Sequence, residues 1–185
     1  MVKIGVIIGS VRDVRVGNSI AKWAVGQMPK STDVEYEIID LKEWNLPLLN
    51  EPNLPAMGDY KNEITKKWSA KISEFDGYIF VTAEYNHGYT AALKNAIDTI
   101  YAEWAKKPVA FVGYGALGGA RAIEQLVQVT AQLNMVPLPS VAINVIDVWA
   151  ALDDSGNVKP ENVRGNAEKL SESLLWWAQT LKTSR

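Results

Sequence analysis

The sequence contains no cysteine and only one histidine, His87, and these two scarcities exclude several kinds of chemistry. Without cysteine there is no disulfide, no thiolate nucleophile, and no cysteine-ligated zinc or iron–sulfur cluster. A single histidine excludes a multi-histidine metal site within one chain and leaves one candidate for a Ser–His–acid triad. We therefore expect no metal site, and we assign no side chain as an obligatory catalytic acid or base.

The sequence also lacks a charge excess and a long apolar run. Lys and Arg number 19 against 21 Asp and Glu, which gives a net charge of −2 rather than the basic excess of a nucleic-acid-binding protein. No apolar stretch approaches the length of a membrane span, and the one near the N-terminus is too short for a signal-peptide core. We expect a cytoplasmic protein with neither a nucleic-acid nor a membrane partner.

What the sequence does contain is an alternation of short β-branched apolar runs with segments of helical periodicity. The predicted strands cover residues 2–8, 34–40, 77–83, 108–114 and 141–146. The predicted helices cover residues 19–28, 59–75, 89–104, 117–134 and 161–182. This order predicts a single α/β domain over residues 1–185, with a doubly wound five-stranded parallel sheet of order 2-1-3-4-5 and helices on both faces.

Two features fall outside that alternation. Residues 41–58 hold three prolines and no sustained period, and a loop of this length inside a compact domain usually has a function or contacts a partner. Trp68, Trp104 and Trp177 lie on the apolar stripes of predicted helices and are expected to pack in the core. Trp176 is turned about 100° from Trp177, which predicts an exposed side chain suited to an oligomer contact.

In a doubly wound sheet, ligands bind beyond the carboxyl ends of the strands. The loop after the first predicted strand reads GSVRDVRVGNS at 9–19, with a hydroxyl on Ser10, guanidinium groups on Arg12 and Arg15, and Asn18 as a predicted N-cap. Together with a helix N-terminus these groups predict a phosphate site, the alternative being a solvated polar loop. The loop contains no lysine and does not match a nucleotide-hydrolysing P-loop.

The loop after the third predicted strand reads AEYNHGYT at residues 83–90. Tyr85 offers a flat apolar face and Asn86 an amide, which suits a planar heteroaromatic ligand. Two roles stay open in this loop. Glu84 is either a ligand contact or a structural or subunit-contact carboxylate, and His87 is either a proton donor or a neighbour of the site without a chemical duty.

The loop after the fourth predicted strand reads GYGALG at 113–118, which formally matches G-x-G-x-x-G. It is not a nicotinamide fingerprint, because it follows the wrong strand and has Leu138 and Pro139 where an acidic residue is required about 20 positions on. We interpret it as a glycine-rich wall whose backbone approaches a ring system. Arg121 is expected to be a surface or interface residue.

Taken together, the segments 9–23, 83–98 and 113–122, with DLKEWNLPLLNEP at 40–52, resemble the NADPH-dependent FMN reductase family of flavodoxin-like proteins. The resemblance extends over nearly the whole chain. It implies a flavodoxin-like fold, FMN as cofactor with NAD(P)H as electron donor, and a homodimer or homotetramer. The sequence departs from the family at Ala83, where proline is common, at Ala116, where serine is common, and at Thr99, where tryptophan is common.

The resemblance also implies which residues bind FMN. Those that would surround the phosphate are Ser10, Arg12, Gly17, Asn18, Ser19 and Ile20. Those that would line the isoalloxazine are Glu84, Tyr85, Asn86 and His87, with Tyr114 and Gly115 at its other edge.

The implied activity is hydride transfer from NAD(P)H to FMN, followed by electron transfer to a small acceptor such as a quinone, an azo compound or a flavin. One alternative is a flavodoxin-type electron carrier without its own nicotinamide site, although such carriers commonly have a strongly acidic surface and this chain carries only −2. The other alternative is an α/β domain that binds a phosphorylated metabolite and no flavin.

Overall fold

The computed structural model describes residues 1–185, in which strands and helices alternate as the sequence predicts. The strands are β1 (Val2–Ile8), β2 (Val34–Asp40), β3 (Gly77–Ala83), β4 (Pro108–Tyr114), β5 (Val136–Pro137), β6 (Ile143–Val145) and β7 (Val163–Arg164). The helices are α1 (Gly17–Gly26), α2 (Leu41–Trp44), α3 (Glu63–Ser73), α4 (Ala91–Asp98), α5 (Ala120–Gln132) and α6 (Ala167–Lys182). Short 3₁₀ turns lie at Pro55–Met57, Ala102–Trp104, Pro139–Val141 and Pro160–Asn162.

The sheet has the order β2-β1-β3-β4-β6-β7, and β5 also pairs with β4. The predicted order and fold class are confirmed, but the fifth strand position is shared by two short strands. β5 pairs with the first residues of β4 and β6 with the last, because Pro137 and Pro139 interrupt the ladder between them. β7 adds an antiparallel edge that the sequence pattern did not predict.

Two helices begin four or more residues later than the periodicity predicts. α3 starts at Glu63 instead of residue 59, because Asp59 bonds Asn53 in a turn and the Glu51 carboxylate accepts the backbone N–H groups of Lys61 and Asn62. α6 starts at residue 167 instead of 161, since Pro160 begins a 3₁₀ turn that leads into β7. Its start is capped by the Asn166 side chain.

Two apolar clusters cover the two faces of the sheet. Buried residues of α1 and α6 form one cluster, and those of α3, α4 and α5 form the other. Trp68 and Trp104 are fully buried as predicted, and their indole N–H groups donate to the carbonyls of Ala96 and Ile97. Trp177 is partly buried, whereas Trp176 is 60% exposed. No helix has both the length and the apolar character that crossing a bilayer requires.

The position of the site follows from the sheet order. β1, β3 and β4 are adjacent and parallel, with Ile8 beside Val81 and Ala83 beside Tyr114. The loops that follow these three strands therefore meet at one edge of the sheet.

Candidate active site

A cavity of about 740 Å³ opens at this edge of the sheet. Three of its walls are the loops after β1, β3 and β4, and the fourth is the segment after β6. Eight of the twelve residues predicted to bind FMN line it, namely Ser10, Arg12, Glu84, Tyr85, Asn86, His87, Tyr114 and Gly115. The other four, Gly17, Asn18, Ser19 and Ile20, form the first turn of α1 and do not line the cavity wall.

The loop after β1 presents an unbroken row of free backbone donors. No backbone N–H group from Ser10 to Ser19 donates to an acceptor within the chain. Asn18 is not the N-cap as predicted, because α1 begins at Gly17 after Val16, and no side chain caps the helix. The unpaired donors and the partial positive charge of the helix N-terminus together form an anion site.

Arg15 adds charged donors to the same loop. Its side chain is only 11% exposed and pairs with the Asp40 carboxylate through one terminal nitrogen. Its Nε and second terminal nitrogen are buried and have no hydrogen-bond partner. A guanidinium held in this way has two donors left for a phosphate.

Tyr114 contributes a further unpaired donor, its side-chain hydroxyl. The residue is 4% exposed, and its hydroxyl is buried without a partner. A β-carbon placed on Gly17 would lie 2.6 Å from that hydroxyl, so the Tyr114 side chain reaches across to the start of α1. Burial raises the pKa of Tyr114 above its ordinary value, which keeps the hydroxyl protonated as a donor.

The loop after β3 is a tight turn. The backbone N–H and C=O groups of Tyr85 and Gly88 bond each other at 2.9 and 3.1 Å. Between them Asn86 and His87 have φ angles of 51° and 73°, the left-handed pair of a type I′ turn. Their backbone N–H groups stay free, while the Tyr85 hydroxyl bonds Ser10 Oγ at 3.0 Å and joins this turn to the phosphate loop.

Glu84 lies behind this turn and is an ion-pair partner. Its side chain is 5% exposed, pairs with the Arg121 guanidinium, and accepts the Arg121 backbone N–H at 3.2 Å. Of the two roles that the sequence left open for Glu84, this geometry supports that of a structural carboxylate. Arg121, expected to be a surface or interface residue, is 40% exposed at its side chain and also lines the cavity. The His87 side chain is exposed and makes no hydrogen bond within the chain.

The loop after β4 is a closely packed glycine wall. Gly119 has a φ of 72°, and a β-carbon there would lie 2.7 Å from the backbone nitrogen of Tyr114. The Gly118 carbonyl accepts a hydrogen bond from Asn144 Nδ2 at 2.9 Å, which fixes the wall to β6. No group of three or more Asp, Glu or His side chains is placed to hold a metal ion.

The fourth wall was missed by sequence reasoning. Val148, Trp149 and Leu152 follow β6 and face the same cavity. The backbone N–H of Asp147 donates to the Ala116 carbonyl at 3.4 Å, so this segment is joined to the glycine wall. The available signal was a tryptophan shortly after a fifth strand of the same parallel sheet.

Comparison with known proteins identifies the class of this fold and site. The family model described as NADPH-dependent FMN reductase matches residues 2–149. The chain belongs to this family, and the predicted class of enzyme, an NAD(P)H-dependent flavin oxidoreductase, is confirmed.

Individual proteins extend the comparison. An NAD(P)H-dependent FMN reductase of Schizosaccharomyces pombe is 47% identical over 142 residues, which cover 75% of this chain and 70% of that protein. An NADPH:quinone oxidoreductase of Arabidopsis thaliana is 28% identical over 182 residues, 95% of this chain and 89% of that protein. Among solved structures, the flavoenzyme FerB of Paracoccus denitrificans superposes with a TM-score of 0.67 at 21% identity, covering 99% of this chain and 98% of FerB.

Proposed function

We propose that this protein binds FMN at the carboxyl edge of its sheet and uses NAD(P)H to reduce small quinone or azo acceptors. One observation carries the proposal: three sets of unpaired donors, two from the loop after β1 and one from the end of β4, converge at one end of a single cavity. They are the free backbone N–H groups after β1, the buried nitrogens of Arg15 and the buried hydroxyl of Tyr114. Buried donors without partners are costly, so a ligand with several acceptor oxygens is expected to satisfy them.

These donors fit the phosphate end of FMN. A phosphate monoester carries up to two negative charges and accepts hydrogen bonds from all sides, which matches a helix N-terminus beside a guanidinium. The free N–H groups of Asn86 and His87 and the face of Tyr85 suit the edge and the face of a planar ring.

The chemistry that FMN supplies when bound is acceptance of a hydride from NAD(P)H and delivery of two electrons, with protons from water, to an acceptor. The residues of this chain hold and orient the reactants. The donors after β1 anchor the phosphate, and the turn at Tyr85–Gly88 limits how the ring lies. Because the cofactor would carry the redox chemistry, no side chain is required to act as an acid or a base.

The proposal is tested by an absorbance spectrum of the purified protein, incubated with FMN and desalted, before and after anaerobic NADPH and then NADH. Retained flavin absorbance that is bleached by either donor is the expected result. Riboflavin, which lacks the phosphate, is the matched ligand control and is expected to be lost on desalting. The absence of both retained flavin and FMN-dependent NAD(P)H oxidation would refute the proposal.

We further propose a homodimer formed through the 41–58 segment. Leu48, Leu54 and Met57 of this segment are 69–80% exposed, and an open apolar depression of about 550 Å³ lies beside them, between this segment, α4 and α5. Exposed apolar surface of this extent is typical of a protein–protein contact. Light scattering is expected to give twice the 20.4 kDa chain mass and a monomer for Leu54→Asp; a monomeric wild type would refute the dimer.

A further inference from the structure

We infer that Trp149 determines specificity for flat aromatic acceptors, which stack on its indole at the mouth of the cavity. This inference rests on the proposed function, since it names the substrate class that the same site selects. It assigns a role to the wall after β6, which takes no part in the phosphate or ring contacts described above.

The indole of Trp149 is presented to the cavity by anchored neighbours. Trp149 lines the cavity and is 80% exposed. Val148 packs against the core, Ala151 is fully buried, and Leu152 forms a bridge with Val158. With Val148 partly buried before it and Ala151 fully buried two residues after it, the backbone at Trp149 is anchored beside the cavity and presents the exposed indole at its mouth.

Hydrogen bonds fix this segment to the rest of the site. Asp147 joins it to the glycine wall at Ala116. On its other side, Lys159 donates its backbone N–H to the Ala151 carbonyl at 2.8 Å and its Nζ to the Ala150 carbonyl at 2.9 Å. The position of the Trp149 backbone relative to the glycine wall is therefore set by the fold.

The exposure of the indole favours the acceptor over the cofactor as its stacking partner. Arg15 and Tyr114 hold buried free donors, whereas Trp149 is 80% exposed and gives little of its area to the protein core. An acceptor binds and leaves in each turnover, and it must use the open side of the cavity. A flat aromatic acceptor covers apolar indole surface there, whereas a compact inorganic ion gains nothing from stacking.

The first test measures binding without turnover. Calorimetric titration of oxidised, FMN-loaded protein with 1,4-naphthoquinone-2-sulfonate, in the absence of NAD(P)H, gives the acceptor Kd. We expect Trp149→Ala to raise that Kd about tenfold, as loss of an aromatic stacking contact predicts, and Trp149→Phe to restore most of the affinity. Trp176→Ala is the matched control, because it removes another exposed indole that does not line the cavity.

The second test is a ratio of activities. The ratio of kcat/KM for the naphthoquinone to kcat/KM for ferricyanide is expected to fall about tenfold in Trp149→Ala, mainly through KM, and to keep its wild-type value in Trp176→Ala. FMN content, read from absorbance after desalting, separates an acceptor contact from a flavin contact.

Several results would overturn the inference. An unchanged Kd and ratio in Trp149→Ala would do so, and so would an equal loss with both acceptors accompanied by lost FMN, which would assign Trp149 to the cofactor. A smaller species in light scattering with an unchanged ratio would assign it to a subunit contact. If wild-type protein reduces ferricyanide while Trp149→Ala has no effect, the proposed function stands and only this inference fails; without any wild-type turnover, both fail.

Discussion

The hydroxyl of Tyr114 occupies the space that a side chain at Gly17 would need. A β-carbon on Gly17 would lie 2.6 Å from that oxygen and 3.4 Å from the ring carbon that bears it. Tyr114 ends β4 and Gly17 begins α1, so this contact joins the end of β4 to the helix start at the predicted phosphate end. Glycine at position 17 is thus required by close approach of a neighbour.

Gly17→Ala is expected to weaken FMN binding and destabilise the fold. The added methyl must displace a buried tyrosine, and overpacking of this kind costs about 1–3 kcal/mol. The free energy of unfolding in urea and the FMN Kd measure the two effects. Retention of wild-type stability and affinity in Gly17→Ala would contradict the contact.

Combining Gly17→Ala with Tyr114→Phe tests whether the Tyr114 hydroxyl causes the loss of stability in Gly17→Ala. Removing the hydroxyl leaves the nearest ring carbon at 3.4 Å, which is ordinary contact distance. The double variant is therefore expected to recover most of the lost stability while FMN affinity stays low, because one predicted phosphate donor is missing. Strict additivity of the two changes in stability would argue against a direct contact.

Arg15→Lys is expected to weaken binding of FMN by a factor of about ten or more, since a hydrogen bond to a charged group is worth about 1.5–3 kcal/mol. Lysine keeps the charge but not the fork that pairs with Asp40 and leaves two nitrogens free. Riboflavin binding is expected to change little, because riboflavin has no phosphate. Arg164→Lys, at an exposed arginine of β7 outside the cavity, is the control; equal losses for FMN and riboflavin in Arg15→Lys would contradict the assignment.

The sequence predicts the central strands well for a physical reason. The buried strands β1, β3 and β4 are continuous apolar runs bounded by glycine or proline, and their observed bounds match the prediction. The helix starts near residues 59 and 161 are wrong because they depend on distant or irregular contacts. The Glu51 carboxylate accepts hydrogen bonds from the backbone at residues 61 and 62 across the intervening loop. Hydrophobic periodicity cannot predict such a bond.

The same distinction applies to the site: the parts set by strand order were predicted, and the parts set by long-range contacts were not. Residue types and their positions after strands identify three walls, because strand order places these loops together. Sequence reasoning missed the roles of Trp149 and of the Tyr114 hydroxyl. The first depends on a short strand, β6, that prolines separate from β5 although both strands pair with β4, and the second on a side chain that reaches from the end of β4 to the start of α1.

Arg121→Ala is expected to destabilise the protein by leaving Glu84 as a buried, unpaired carboxylate. The cost of breaking a buried ion pair is about 3–5 kcal/mol, and we expect about 2 kcal/mol here because the Arg121 side chain is 40% exposed. Adding Glu84→Gln is expected to restore at least half of the loss in urea unfolding. Lys66→Ala removes a solvent-exposed pair with Glu63 and is expected to leave stability nearly unchanged. A double variant less stable than Arg121→Ala would contradict this account.

Lys107 is a buried lysine at the opposite end of the sheet from the cavity. It is 8% exposed, and its Nζ donates to the Tyr78 hydroxyl at 3.0 Å and to the Ile72 carbonyl at 3.2 Å. Burial, aided by the positive charge of Arg185, lowers the pKa of Lys107 to about 8, although Asp76 and other acidic neighbours act in the opposite direction.

The contribution of Lys107 to the free energy of unfolding is therefore expected to rise with pH between about 8 and 10, because the unfolded chain, with an ordinary lysine pKa of about 10.4, binds more protons at that position. Below pH 8 both states are protonated and the full cost of the buried charge is present. Lysine deprotonation in the folded state should add roughly 1.5 kcal/mol between pH 8 and 9.5. Lys107→Met is expected to lack this rise. Lys22→Met, which removes the charge of an exposed lysine, is the control and is expected to retain the rise. Urea unfolding curves across this pH range that are parallel for wild type and Lys107→Met would refute the assignment.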